Sequence, residues 1–196
     1  MVRIRIDKVV TKRGDDGSTD LASGERAPKD SARIEGYGAV DEANCAIGMA
    51  RELLLLEEPG EARTEMEAIL LRVQNHLFNL GSELATTAGK LRPDQPVIAD
   101  RHVAALEEAV LRFNEGLPAL PSFVLPGGGT LGAALHVARS TVRRAERAVV
   151  RLSREEPVGR PARIYLNRLS DLLFVLGRYA TVRFGKAELL WNPEEA

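Results

Sequence analysis

The chain has one cysteine, Cys45, in 196 residues. That excludes an intramolecular disulfide and any thiolate cage for a metal, and it points to a reducing, cytoplasmic setting. Long hydrophobic runs are also missing. The run of four leucines from Leu53 to Leu56 is far short of the roughly 20 residues that span a bilayer. The start, MVRIRIDKVVTKRGDDGS, has no apolar stretch of the kind that directs secretion. Net charge is almost absent: 27 basic and 28 acidic side chains give −1, so no overall field draws the chain to nucleic acid or to an anionic membrane. Any anion site must be local. What is present in quantity is apolar side chain, 44% of the sequence, enough for a core that needs no staples.

Residues 1–30 are rich in Gly, Asp, Ser, Lys and Arg without a sustained period, and read as an extended arm with a tight turn at GDDG. Residues 31–196 read as a single helical domain. Helical patterns run from Ser31 to Leu56, from Ala62 to about Ala88, from Ile98 to Asn114 and from Ala162 to about Phe184. Between the last two, Leu131, Leu135, Ala138, Val142, Ala145, Val149 and Leu152 alternate steps of four and three, the stripe of a bundle helix. GLPALPSFVLPGGG, just before that stripe, breaks all regular structure. Five helices with short antiparallel connections make an all-α, five-helix up-and-down bundle with an extended N-terminal arm the simplest architecture.

At about 100° per residue, Arg139, Arg143 and Glu146 share one flank of the stripe, whereas Arg144, Arg147 and Arg151 point further round. A solvated charged face would explain most such patterns. Arginine beside buried surface, however, needs an anion, because an unpaired buried charge costs several kcal/mol, roughly, and the guanidinium fork suits phosphate or carboxylate. Asp41 or a ligand could serve. On the last helix Asn167, Asp171, Phe174 and Arg178 form a polar stripe that interhelical hydrogen bonds would satisfy. In TKRGDDGST the glycines can turn backbone N–H groups toward an anion, with Lys12, Ser18 and Thr19 as side-chain donors.

Two familiar patterns fail. GGGTLG matches a dinucleotide fingerprint but lacks the βαβ unit, and its glycines more simply turn the chain into the fourth helix. None of His76, His102 and His136 follows a glutamate at the spacing of a di-iron bundle.

In order, TKRGDDGST, YGAVDEAN, FVLPGG, LHVARSTVRRAER and YLNRLSDLLFVLGRYA resemble the signature segments of the PduO-type ATP:cob(I)alamin adenosyltransferases over nearly the whole chain. The resemblance implies a five-helix homotrimer that transfers the 5′-deoxyadenosyl group of ATP to the cobalt of cob(I)alamin, with substrates at subunit interfaces. It implies that Thr11, Lys12, Arg13, Gly14, Ser18, Thr19 and Lys29 of the arm bind ATP. Arg143, Arg144, Ala145, Glu146, Arg147 and Asn167 match further ATP positions. Asp41 and Arg139 match a salt-bridged pair, and Phe123 matches an aromatic residue on the corrinoid side. Mg²⁺ is expected on the ATP phosphates, without a protein metal site. A flavin or other reductase and an adenosylcobalamin-dependent client enzyme are the implied partners. The alternative is a non-catalytic sensor or delivery protein that binds both ligands and releases no triphosphate. Asp16 departs from the family pattern, which often has Lys there, and makes the phosphate side less positive.

Overall fold

The computed structural model describes residues 10–195, so the first nine residues of the expected arm lie outside it. Five helices follow the expected spans closely: α1 (Ala32–Leu54), α2 (Glu61–Leu84), α3 (Asp100–Asn114), α4 (Gly129–Glu155) and α5 (Arg160–Arg183). The α4 stripe is the clearest case of pattern becoming packing. All seven residues from Leu131 to Leu152 named above are buried, and each large one contributes roughly 1.5–3 kcal/mol by leaving water. Gly128 starts that helix at φ 83°, where a side chain would collide with the Thr181 hydroxyl of α5. The glycine run is thus a turn into α4, as expected.

Ion pairs and hydrogen bonds fix the directions. Arg33 near the start of α1 pairs with Glu156 just past the end of α4, and Arg51 near the end of α1 pairs with Glu67 near the start of α2 at 2.7 Å. Asn167 early in α5 meets Glu146 late in α4. Successive helices therefore alternate up and down. Adjacency is less simple: α1 packs on α2 and α4, and α4 on α5, while α3 packs on α5 and runs parallel to it. The expectation of short connections fails between α2 and α3, where residues 85–99 intervene, whereas the Pro- and Gly-rich break read before α4 is present: α4 sits across the bundle from α3, and residues 115–128 cross to it.

The arm also differs from the expected irregular segment. It contains a hairpin of β1 (Ser18–Asp20) and β2 (Arg26–Pro28), paired antiparallel with Thr19 opposite Ala27. These strands are too short and polar to show an alternating pattern. The hairpin docks on the end of α2: Ala22 N–H donates to Ala85 O at 2.9 Å, Thr87 N–H donates to Ser23 Oγ at 3.1 Å, and Glu25 pairs with Lys90. Arg33, buried beneath, donates to Leu84 O at 2.6 Å and Thr86 O at 2.9 Å. It thereby caps carbonyls that the end of α2 leaves open.

Candidate functional site

Only four residues, Glu156 to Gly159, separate α4 from α5, so the two helices fold back as a tight antiparallel pair. That hairpin sets Glu146 opposite Asn167, whose Nδ2 donates to Glu146 Oε1 at 3.0 Å while its Oδ1 accepts from Arg168 at 2.7 Å. Around this pair, Arg143, Arg147, Arg151 and Arg154 line one cavity with Glu146 and Asn167. Arg160, Arg163 and Arg168 line its continuation across the same two residues. A field of guanidiniums around one carboxylate and one amide has the chemistry to bind a polyanion. Its donor set does not suit a resident divalent cation, and among the described residues no group of three or more His, Cys, Asp or Glu could hold one.

One turn back along α4, Arg139 opens onto a second cavity of different character. It measures about 740 Å³ and is walled by Phe123, Phe174, Trp191, Val124 and Leu120. Phe123 is 79% exposed although it is a large aromatic, and its ring centroid lies 6.2 Å from that of Trp191. Arg139 Nε is buried without a hydrogen-bond partner, as is Nδ1 of His136 on the preceding turn. His136 stacks edge-on to Phe174 at 6.2 Å. Burial first, then the Arg139 charge, hold its imidazole below the ordinary value, so it is neutral at pH 7.

The other expected residues lie elsewhere. Asp41 is exposed on α1, where it lines a mainly apolar groove between α1 and α2 with Tyr37, Asn44, Leu77 and Phe78. Arg139 has no ion-pair partner among the described residues, so the Asp41–Arg139 pair does not form within one chain. The described part of the arm docks beside the groove that Asp41 lines, through Ala85, which both share. Its turn is held by Lys29 Nζ donating to Gly14 O at 2.7 Å and by Gly17 N–H donating to Gly14 O at 3.3 Å. Lys12 has φ 60°, a conformation L residues rarely adopt. Asp16 accepts from Ser18 N–H at 3.0 Å and Ser18 Oγ at 2.7 Å and pairs with Arg26 at 2.9 Å. The Ser18 bonds first, and Arg26 to a lesser degree, hold its carboxyl below the usual range. Asp16 therefore organises the turn with its own cation. Arg13 is tied to Asp20 at 3.1 Å, whereas Thr11, Lys12 and Lys29 stay exposed and Thr19 half-buried.

On α4 one expectation about direction fails and another holds. Arg147 and Arg151, expected to point further round, line the same cavity as Arg143 and Glu146, because a guanidinium on a long stem covers more than one helical register. Arg144 does turn away, pairing with Glu42 on α1. Ala145 is fully buried in the core and does not line the cavity. Sequence reasoning missed Arg154, Arg160, Arg163, Arg168 and Trp191. The short α4–α5 link was the signal for the arginines, since it fixes which residues of the two helices face each other.

The family model for cobalamin adenosyltransferase matches residues 9–180. A cobalamin adenosyltransferase of Cupriavidus metallidurans is 42% identical over 190 residues, covering 97% of each chain. A corrinoid adenosyltransferase of Mycobacterium tuberculosis is 42% identical over 97% of this chain and 95% of its own. Among solved structures, a variant PduO-type ATP:corrinoid adenosyltransferase from Lactobacillus reuteri, complexed with cobalamin and ATP, superposes with a TM-score of 0.86. It is 34% identical over 94% of this chain and 99% of that one. The chain belongs to the cobalamin adenosyltransferase family, and it is an enzyme of that class.

Proposed function

We propose that the two cavities along the α4/α5 face divide the substrates of an ATP:corrinoid adenosyltransferase. The arginine-lined cavity takes the triphosphate of ATP, and the aromatic cavity takes the corrinoid. One observation carries this reading: a polyanion site and a large apolar site lie one helical turn apart on α4, at Arg143 and Arg139. The Lactobacillus protein that superposes on this chain holds both cobalamin and ATP. Asn167, fixed by Glu146 and Arg168, orients the nucleotide, while Arg143 and Arg147 meet its phosphates.

The reaction needs no general base. Cob(I)alamin is a strong nucleophile whose cobalt electron pair forms the bond to C5′ as the C5′–O bond breaks and triphosphate leaves. The protein's part is alignment and stabilisation of the charge that develops on the leaving group. Arg143, Arg147, Lys12 and Lys29 supply that positive field. Mg²⁺ would be held by the phosphates of ATP and would offset their charge, since the cavity offers it arginines and a single carboxylate, Glu146, that already accepts from Asn167. Phe123 supplies apolar surface against the corrinoid and favours loss of its lower axial ligand, which eases reduction of Co(II).

The arm, residues 1–30, is the nucleotide-binding segment, although its described part, from residue 10 on, and Asp41 lie on the α1/α2 side of the chain that carries them. In the helix order α2, α1, α4, α5 these two grooves are on opposite faces of the bundle. A site that uses both is built from the α4/α5 face of one copy and the α1/α2 face with the arm of the next. Buried polar atoms fit that reading. Arg139 Nε and Arg163 Nε are donors without partners on one face, and Asn44 Oδ1 is an acceptor without a partner in the other groove. Such a head-to-tail contact closes into a ring, a homotrimer here, and brings Asp41 to the partner's Arg139. A flavin or other reductase would supply the electron, and an adenosylcobalamin-dependent client would take the product.

The test is anaerobic incubation with Mg-ATP and chemically reduced cob(I)alamin, following the visible spectrum for adenosylcobalamin and assaying triphosphate. Equal amounts of both are expected. Binding of ATP with neither product would establish the sensor or delivery reading instead. Phe123→Ala should lose most activity from Co(II) while retaining more from chemically reduced Co(I); full activity from Co(II) would remove Phe123 from the corrinoid site.

A further inference from the structure

The geometry points to Arg178 as a positioning residue that sets the aromatic cavity through two chain segments at once, an inference that rests on reading this cavity as the corrinoid site. Arg178 belongs to the polar stripe of α5 but does not reach the arginine-lined cavity. Its side chain is 6% exposed, and it forms a two-point pair with Glu188: Nε donates to Oε1 at 2.7 Å and Nη2 to Oε2 at 3.3 Å. Nη2 also donates to Pro118 O at 2.7 Å. Pro118 lies near the start of the crossing segment that presents Phe123. Glu188 begins the C-terminal segment that presents Trp191.

Beyond the clamp the two segments zip together. Leu125 N–H donates to Leu189 O at 2.8 Å, Trp191 N–H to Phe123 O at 2.7 Å, and Ser122 Oγ to Trp191 O at 2.7 Å. Three backbone-directed bonds between short, exposed strands hold weakly on their own. A buried guanidinium fixed to both roots supplies the registration they lack. Arg178 and Glu188 thus touch no substrate, and they decide how far apart the Phe123 and Trp191 rings stand.

Removing one charge of a buried pair can unfold a protein, so the variant of choice removes both and fills the space, Arg178→Met with Glu188→Leu. Glu188→Gln, which keeps the shape and an acceptor, is the milder companion. Trp191 is the only tryptophan, so its fluorescence reports the cavity wall directly. The double variant should keep its melting temperature. It should show red-shifted, less anisotropic Trp191 emission and an about tenfold higher KM for the corrinoid with the KM for ATP unchanged. Glu188→Gln should fall between it and the parent. Unchanged emission and corrinoid KM in the folded double variant, or equal rises in both KM values, would overturn the clamp. Phe123→Ala separates the levels: if it leaves corrinoid KM and Co(II) activity intact, the cavity assignment itself fails, whereas an impaired Phe123→Ala beside normal clamp variants overturns only the clamp.

Discussion

The α4/α5 face and the α1/α2 face are built from the same kind of amphipathic helix, yet they are opposite in what they leave unsatisfied. The first is crowded with arginines that exceed their internal partners; Arg143 and Arg147 have no carboxylate within ion-pair distance among the described residues. The second offers Asp41, Asn44, an exposed Phe78 and the glycine turn of the arm, whose cations Arg13 and Arg26 are already paired. On the proposed reading neither face is a complete site: the fold of one chain separates the halves of the chemistry, and association of copies joins them.

The strongest way to break that comparison is to disable the halves separately. Lys12→Ala with Lys29→Ala on the arm, and Arg143→Ala on α4, should each lower turnover roughly 100-fold as transition-state charge loses its partners. Unfolded together and refolded as mixed oligomers, the two inactive proteins should recover about a quarter of parental activity, because random neighbours place two intact halves together that often in a head-to-tail ring. No recovery in mixtures shown to exchange subunits would mean that each chain holds its own complete site.

Arg139→Ala comes next, with turnover expected to fall at least about tenfold. The same loss in Asp41→Ala, and no further loss in the double variant, would sharpen the comparison by showing that the two act as one pair. Additive losses would separate them. Steady-state kinetics on folded variants reads the difference.

Much of this was legible in the sequence because it depends on local period. The α4 stripe from Leu131 to Leu152 fixes both the helix and its buried side, and the polar positions Arg139, Arg143 and Glu146 follow from the same arithmetic. Asn167 could be placed on α5 but not opposite Glu146 until the four-residue link was taken into account. The β1/β2 hairpin was hidden because Ser-Thr-Asp and Arg-Ala-Pro show no alternation. The seating of α3 on α5 was hidden for another reason: an apolar stripe says that a helix is covered and not by which neighbour. Trp191 escaped notice since its role comes from pairing with residues some seventy positions earlier, which no local pattern records.

Away from both faces, Arg33 tests how the arm's platform is held. Arg33→Met would leave Leu84 O and Thr86 O uncapped and free Glu156, with an expected loss of about 2 to 4 kcal/mol in denaturant unfolding. Activity per folded molecule should change much less than it does in the arm variants. A loss of ATP affinity as large as that of Lys12→Ala with Lys29→Ala would instead place Arg33 in the functional half.

The smallest effect concerns the contact of α2 with α3 and α5 around His76, whose residues His76, His102 and Tyr165 line none of the three grooves named above and so provide an internal control. His76 and His102 lie with ring centroids 4.7 Å apart, and His76 Nδ1 is 3.1 Å from the hydroxyl of the fully buried Tyr165. Burial is the main cause that lowers both imidazoles below 6.5, with His102, Arg72 and Arg101 adding to it at His76 and Arg101 at His102. A histidine depressed in the folded state contributes stability that is present above its unfolded value, near 6.5, and is lost as pH falls through the folded value. The melting temperature should therefore decline as pH is lowered below about 6.5. Glu83, raised by burial, acts in the opposite sense in a window that starts near 4.5. His76→Gln keeps a partner for Tyr165 and removes one titrating group, so its melting temperature should fall less steeply over the same range. Because these histidines line neither the Arg143 cavity nor the Phe123 cavity, the corrinoid and ATP KM values of His76→Gln should match the parent at every pH; a shift in either would show that the two sides of the bundle are coupled.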